Sequence, residues 1–279
     1  MRISLYCFSI LIILASCHSS RKERIILNYE KNDLEHAQIY GKAKQVHLNI
    51  YVVEDSLSEA HPAKLLSRLI QNYTPEGYLE TVYQLNNQLD TVLKESYHYQ
   101  NGKLTEILKI LDDSIIIREE ITYSAAGFKD AQHIYQNDSL SEKSVYKIND
   151  YGFVAQKQVD NGQYVITYQY QYNNKGLLIS EKEVDPYGTV YKQILIEYNE
   201  SGLETNRKIQ NAVGKLLYYY FTSYDKNHLI VSKLFEDVLI GSKEHYYYLK
   251  PDKEGNWREL THRKNQQPYL KTVRKITYY

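Results

Sequence analysis

The sequence predicts an all-β chain, an elongated antiparallel β-meander of two-strand repeats of about 25 residues, curled as a single sheet. Three observations predict it. Glycines fall on an even lattice. Tyrosines alternate with other residues between them. The runs between turns have the length of strands rather than helices.

The lattice holds glycines at 77, 102, 127, 152, 176, 202 and 255, with His228 in the remaining slot. A second series at 162, 188 and 214 interleaves with it. The turns share one form: Asn149-Asp150-Tyr151-Gly152, Asn173-Asn174-Lys175-Gly176, Asn199-Glu200-Ser201-Gly202 and Asp252-Lys253-Glu254-Gly255. Asp185-Pro186-Tyr187-Gly188 and Asn211-Ala212-Val213-Gly214 repeat it in the second series. Asn or Asp suits the first position of a type I turn, because its side chain accepts from the backbone N–H two residues on. Gly suits the fourth, where positive φ makes the bulge that returns the strand. Asn101-Gly102 and Asn161-Gly162 read as tighter hairpins. In Tyr224-Asp225-Lys226-Asn227-His228, histidine takes the glycine's place; it tolerates positive φ better than most residues.

Strands joined by short turns are antiparallel neighbours. About eighteen follow from residue 45 to the end, stacked about 4.8 Å apart. Side chains alternate faces. Tyr164, Ile166, Tyr168, Tyr170 and Tyr172 therefore share one face, with Val165, Thr167, Gln169 and Gln171 on the other. Ile194, Ile196 and Tyr198 likewise oppose Gln193, Leu195 and Glu197. Thirty tyrosines suit such a surface, since the ring packs across strands and the hydroxyl keeps a polar partner. A sheet with one apolar face must curl over it or cover it. An open half-shell is the expected result, with a short helix from Asn32-Asp33-Leu34-Glu35-His36-Ala37-Gln38 capping an edge.

Ahead of the repeats, Arg2 and the apolar run Ile3 to Leu14 read as a signal peptide over 1–16, too short to span a bilayer. Its ending, Leu14-Ala15-Ser16-Cys17, resembles the bacterial lipobox, which implies lipid on Cys17. Residues 17–40 then form a tether and capping segment, and 41–279 the repeat domain. Cys7 falls in the signal, so a lipidated Cys17 leaves no intrachain disulfide.

The repeats Tyr172-Asn173-x-x-Gly176-Leu177, Tyr198-Asn199-x-x-Gly202-Leu203 and Tyr224-Asp225 resemble the YD repeat of the Rhs/YD-repeat family. Asp252-Lys253-Glu254-Gly255-Asn256-Trp257 is similar to that repeat's D-x-x-G-N form. Gly41-Lys42-Ala43-Lys44-Gln45-Val46 and Arg274-Lys275-Ile276-Thr277-Tyr278-Tyr279 resemble the opening and closing strands of small YD-type lipoproteins of the Bacteroidetes. The resemblance covers about 41–279 and implies a winding sheet that encapsulates or binds. Asn stands for Asp at several turns, and Ile148 stands for Tyr.

Chemistry is sparse. Lys and Arg together number 34, as do Asp and Glu, so no basic excess faces nucleic acid. The nine histidines show no metal-ligand spacing, and no nucleophile or phosphate-loop motif occurs. Asp112-Asp113 reads as a turn, and Glu119 and Glu120 point to opposite faces. No catalytic residue, metal or cofactor is expected. Leu216-Leu217-Tyr218-Tyr219-Tyr220-Phe221 and Tyr246-Tyr247-Tyr248 are the richest aromatic stretches. Tyr219, Phe221, Tyr246 and Tyr248 are the expected recognition patch for a protein or glycan. The expected function is a non-enzymatic scaffold of the cell envelope, anchored to the outer membrane through lipid on Cys17. An immunity or toxin-accessory lipoprotein is the alternative, and a hydrolase inside a curled shell the third reading.

Overall fold

Each Asx turn forms as its residues dictate. Asn173 Oδ1 accepts from the N–H of Lys175 at 2.9 Å and of Leu177 at 3.0 Å, and Gly176 N–H closes the turn on the Asn173 carbonyl at 3.0 Å. Gly176 has φ +76, and a Cβ there would meet the Phe153 ring at 2.8 Å, so both conformation and space require glycine. His228 does what its place predicts: φ is +65 and its N–H donates to the Asp225 carbonyl at 3.0 Å. After the turn the register slips, with Gln171 facing Ser180 but Tyr172 facing Leu178. That slip is the bulge that sends the chain back.

The computed structural model describes residues 33–37, 39–53, 64–112 and 114–279. The lipobox, Cys17 and most of the tether lie outside the described residues. A short helix, α1 (Asp33–His36), precedes β1 (Ala43–Val52), β2 (Lys64–Tyr73), β3 (Leu79–Leu85), β4 (Thr91–Gln100), β5 (Lys103–Leu111) and β6 (Ile115–Tyr123). There follow β7 (Lys129–Gln136), β8 (Ser139–Ile148), β9 (Val154–Asp160), β10 (Val165–Tyr172), β11 (Leu178–Val184) and β12 (Val190–Tyr198). The last are β13 (Glu204–Asn211), β14 (Leu216–Tyr224), β15 (Ile230–Asp237), β16 (Ser242–Leu249), β17 (Glu259–Lys264) and β18 (Gln267–Tyr278). Each strand pairs antiparallel with the next, as the meander predicts.

The expected open half-shell is corrected by the ends. β1 also pairs with β18, from Ala43 against Tyr278 to Val52 against Leu270, so the eighteen strands close into a barrel. Closure removes both edges and satisfies their N–H and C=O groups, which an open sheet would leave unpaired. The seam is reinforced at one rim. Asn256, 1% exposed, accepts from Tyr40 N–H at 2.8 Å and donates to Tyr40 C=O at 2.9 Å and to Tyr278 Oη at 2.8 Å. Tyr278 Oη donates in turn to Asp252 at 2.6 Å. The short helix forms but has no edge to cap. Leu34 and Ile39 pack beside the seam on Ala43, Val46 and Tyr73, and Asp33 accepts from Leu79 N–H and Tyr99 Oη, each at 2.7 Å.

Strands stacked about 4.8 Å apart give eighteen of them a circumference of roughly 86 Å and a mean radius of about 14 Å before tilt. Extensive backbone contacts join only neighbouring strands. The wall therefore surrounds a lumen wider than two tyrosines laid end to end.

Candidate functional site

A closed sheet has two faces, and ion pairs tell them apart. On one, Lys109 pairs with Glu119 at 2.7 Å and Arg207 with Glu204 at 2.8 Å, their side chains largely covered. On the other, Lys208 pairs with Glu197 at 2.6 Å and Lys243 with Glu236 at 3.4 Å, with most of these side chains open to solvent. Covering without a second layer is what a concave wall provides. The first face is the lumen and the second the outer wall.

Alternation brings the tyrosines predicted for one face into the lumen. Tyr168 and Tyr170 stand opposite Glu183 and Glu181 on β11, and Glu181 opposite Ile194 on β12. Lys192 reaches Glu183 at 2.6 Å. Burial pushes the Tyr168 and Tyr172 hydroxyls up to about 12, with carboxylate neighbours adding to it. Burial, then the charge of Glu183, also raises the Glu181 carboxyl. Farther round, Tyr97 Oη donates to Glu95 at 2.6 Å and Tyr246 Oη to Glu244 at 2.7 Å. The inner wall is thus a ring of tyrosine faces set between charged and amide groups.

The expected recognition patch does not stay together. Tyr219 and Phe221 lie on the outer wall, where Tyr219 Oη donates to Asn206 at 2.6 Å and Phe221 is 39% exposed. Tyr246 and Tyr248 face the lumen. Tyr246 stacks on His262 with centroids 4.3 Å apart, and Tyr248 meets Trp257 edge-on at 5.6 Å. Strand parity was available to separate them, because Tyr219 opposes Glu236 while Tyr246 opposes Lys233 and His262. Sequence reasoning left out the lumenal lysines Lys103, Lys129 and Lys157. Each stands alone among its sequence neighbours, so no local pattern groups them. Among the described residues no group of three His, Cys, Asp or Glu is placed to hold a metal ion.

The outer wall carries cations at mid-height. Arg68, Arg118, Lys143, Lys182 and Lys208 lie near the centres of β2, β6, β8, β11 and β13. Arg68 Nε donates to Asn49 at 2.6 Å, and the Arg118 guanidinium lies 4.4 Å from the Tyr135 ring centre.

No protein-family model and no curated protein matches this chain. Among solved structures, it is similar to a porin-like protein from Bacteroides uniformis, at 14% identity and TM-score 0.46, covering 84% of this chain and 96% of that one. A porin-like protein from Bacteroides vulgatus matches at 7% identity and TM-score 0.30, over 85% and 98%. A complex described as TcdB2-TccC3-Cdc42 matches at 12% identity and TM-score 0.34, over 80% of this chain but 14% of that one.

Proposed function

We infer that this chain is a non-enzymatic, lipid-anchored binding protein of the cell envelope. Its barrel stands in the aqueous phase and offers its tyrosine-lined lumen to a glycan or polypeptide. The observation that carries this reading is the outer wall. A barrel that crosses a bilayer turns a continuous apolar band outward, and each Arg or Lys at the midplane costs about 2–4 kcal/mol. Arg68, Arg118, Lys143, Lys182 and Lys208 occupy that belt here. Anchoring then falls to lipid on Cys17. Tyrosine faces beside amides and charges suit sugars and extended chains.

The test is the behaviour of the Cys17→Ser protein. It is expected to be monodisperse without detergent and to leave a planar bilayer non-conducting. A need for detergent, or stepwise conductance, would overturn the reading.

A further inference from the structure

Several cations of the inner wall are paired with carboxylates. Lys109 has Glu95 and Glu119, Lys192 has Glu183, and Arg207 has Glu204. Lys129 on β7 and Lys157 on β9 face the same lumen. Among the described residues, no carboxylate oxygen within 4.0 Å is recorded for either ammonium.

The two flank one ring. Lys129 Nζ lies 4.7 Å and Lys157 Nζ 6.0 Å from the centre of Tyr146, and Lys157 also lies 5.8 Å from Tyr168. The carboxylate that acts on Lys129, Glu119, is already engaged. Glu119 accepts from Lys109 at 2.7 Å and from Gln132 Nε2 at 2.7 Å. Gln132 Oε1 accepts from both Lys129 at 3.0 Å and Tyr146 Oη at 3.0 Å, which fills its two lone pairs. Among the described residues, Gln132 Oε1 is thus the one acceptor of the Lys129 ammonium. Lys103, one repeat earlier, lies 4.8 Å from the Tyr123 ring and donates to the Gly127 carbonyl, which extends the basic stretch.

The two ammonium groups, both set against the Tyr146 ring, repel each other, and among the described residues the carboxylates that face the same wall, Glu119, Glu142 and Glu181, form no ion pair with either of them. We propose that Lys129 and Lys157, with the Tyr146 and Tyr168 rings, form a lumenal site for an acidic saccharide, its anionic groups held by the two ammonium groups and a sugar ring lying against a tyrosine. This rests on the lumen being the binding surface and names the ligand class it takes. A saccharide fits better than an acidic peptide because the anion site sits on aromatic faces. Burial, and next to it the charge of Lys157, bring the Lys129 ammonium down to about 8. Binding therefore weakens as Lys129 loses its charge above that pH.

The experiment is calorimetric titration of the Cys17→Ser protein with a sulfated hexasaccharide, a neutral hexasaccharide and a short polyglutamate. Lys129→Gln/Lys157→Gln is the test variant. Lys143→Gln/Lys147→Gln, on the outer wall of β8, is the charge-matched control. The expected result is selective binding of the sulfated sugar, weakened at least tenfold by the lumenal pair, unchanged by the outer pair, and weaker at pH 9 than at pH 7. Thermal melts of both variants separate loss of binding from loss of fold. Binding of the neutral sugar alone, untouched by the lumenal pair, overturns the anion site and leaves the lumen as a binding surface. Equal binding of polyglutamate overturns the saccharide assignment. An equal effect of the outer pair overturns the location. No binding of any probe overturns the site as proposed, while absence of detergent dependence and conductance still supports the aqueous barrel.

Discussion

The Tyr172 hydroxyl donates to the Val154 carbonyl at 2.9 Å, from β10 across to the start of β9. The paired ladder between those strands has already stopped at Gln169 and Gln156. The hydroxyl bridges the gap two residues beyond it. Tyr198 does the same to Leu178 at 2.8 Å, Tyr224 to Glu204 at 2.7 Å and Tyr123 to Leu104 at 2.9 Å. In each case the acceptor lies two residues before the last paired residue: Ser180, Asn206 and Glu106. The repeated tyrosine is therefore a strap between neighbouring repeats, and phenylalanine cannot replace it.

Tyr198→Phe keeps the ring and removes the strap. It is expected to cost about 1–3 kcal/mol by leaving the Leu178 carbonyl short of a partner. Tyr187→Phe, at a turn residue 93% exposed, should change stability by less than about 0.5 kcal/mol. Guanidinium denaturation of the two variants makes the comparison; equal effects would mean that the hydroxyl bond contributes nothing.

Ile148 stands where the strap is missing. By the same count, Tyr at 148 would reach the Lys129 carbonyl, two residues before Ala131, which pairs with Val145. Ile148→Tyr should raise stability by up to about 1 kcal/mol, read as a higher denaturation midpoint at constant slope. A lower midpoint would deny the rule.

Two of the glycine-free hairpins turn on a pair of residues that both have positive φ. Asn137 and Asp138 have φ of 47 and 63, and Asn265 and Gln266 have 47 and 70. Left-handed backbone costs a side chain such as that of Gln266 roughly 1–2 kcal/mol. Gln266→Gly should recover about 0.5–1 kcal/mol of this, measured by thermal and chemical denaturation. Destabilisation would show that the glutamine side chain has a role at the turn.

His262, like His47, adds to the pH dependence of stability. Burial lowers its pKa from 6.5 against the pull of Glu244, to which its Nε2 lies at 3.1 Å. The folded state then binds the proton less readily than the unfolded chain. The stability this gives is present above pH 6.5 and is lost as pH falls below it. His262→Gln should remove this slope, so that wild type loses more stability than the variant between about pH 7.5 and 5.5. Parallel losses would assign the acid sensitivity elsewhere.

The sequence makes the repeat legible because turn chemistry is local. An Asx first residue and a positive-φ fourth residue announce themselves within four positions, even with His228 in glycine's place. Face assignment was also within reach, since parity alone divides Tyr219 from Tyr246. The glycine-free hairpins at 137–138 and 265–266 carry only an Asn as their sign. Closure was not legible, because the pairing of β1 with β18 joins the two ends of the domain and no local pattern states it. Asn256 shows why. It reads as one more residue after a turn glycine, yet its amide holds Tyr40 and Tyr278 together across the seam. The lysine pair was missed for the opposite reason: each lysine looks ordinary alone, and only the lumen sets both beside Tyr146.

The central claim is a barrel that closes in water. Asn49 on β1 stands opposite Val273 on β18, both on the outer wall. The most direct test is to oxidise Asn49→Cys/Val273→Cys protein, with Cys7 and Cys17 replaced by Ser, in detergent-free buffer and follow it on non-reducing gels. The account predicts an intramolecular disulfide formed in nearly every molecule, without loss of monomer. Reduced thiols persisting, or cross-links only between molecules, would show that the first and last strands do not meet, and would contradict it.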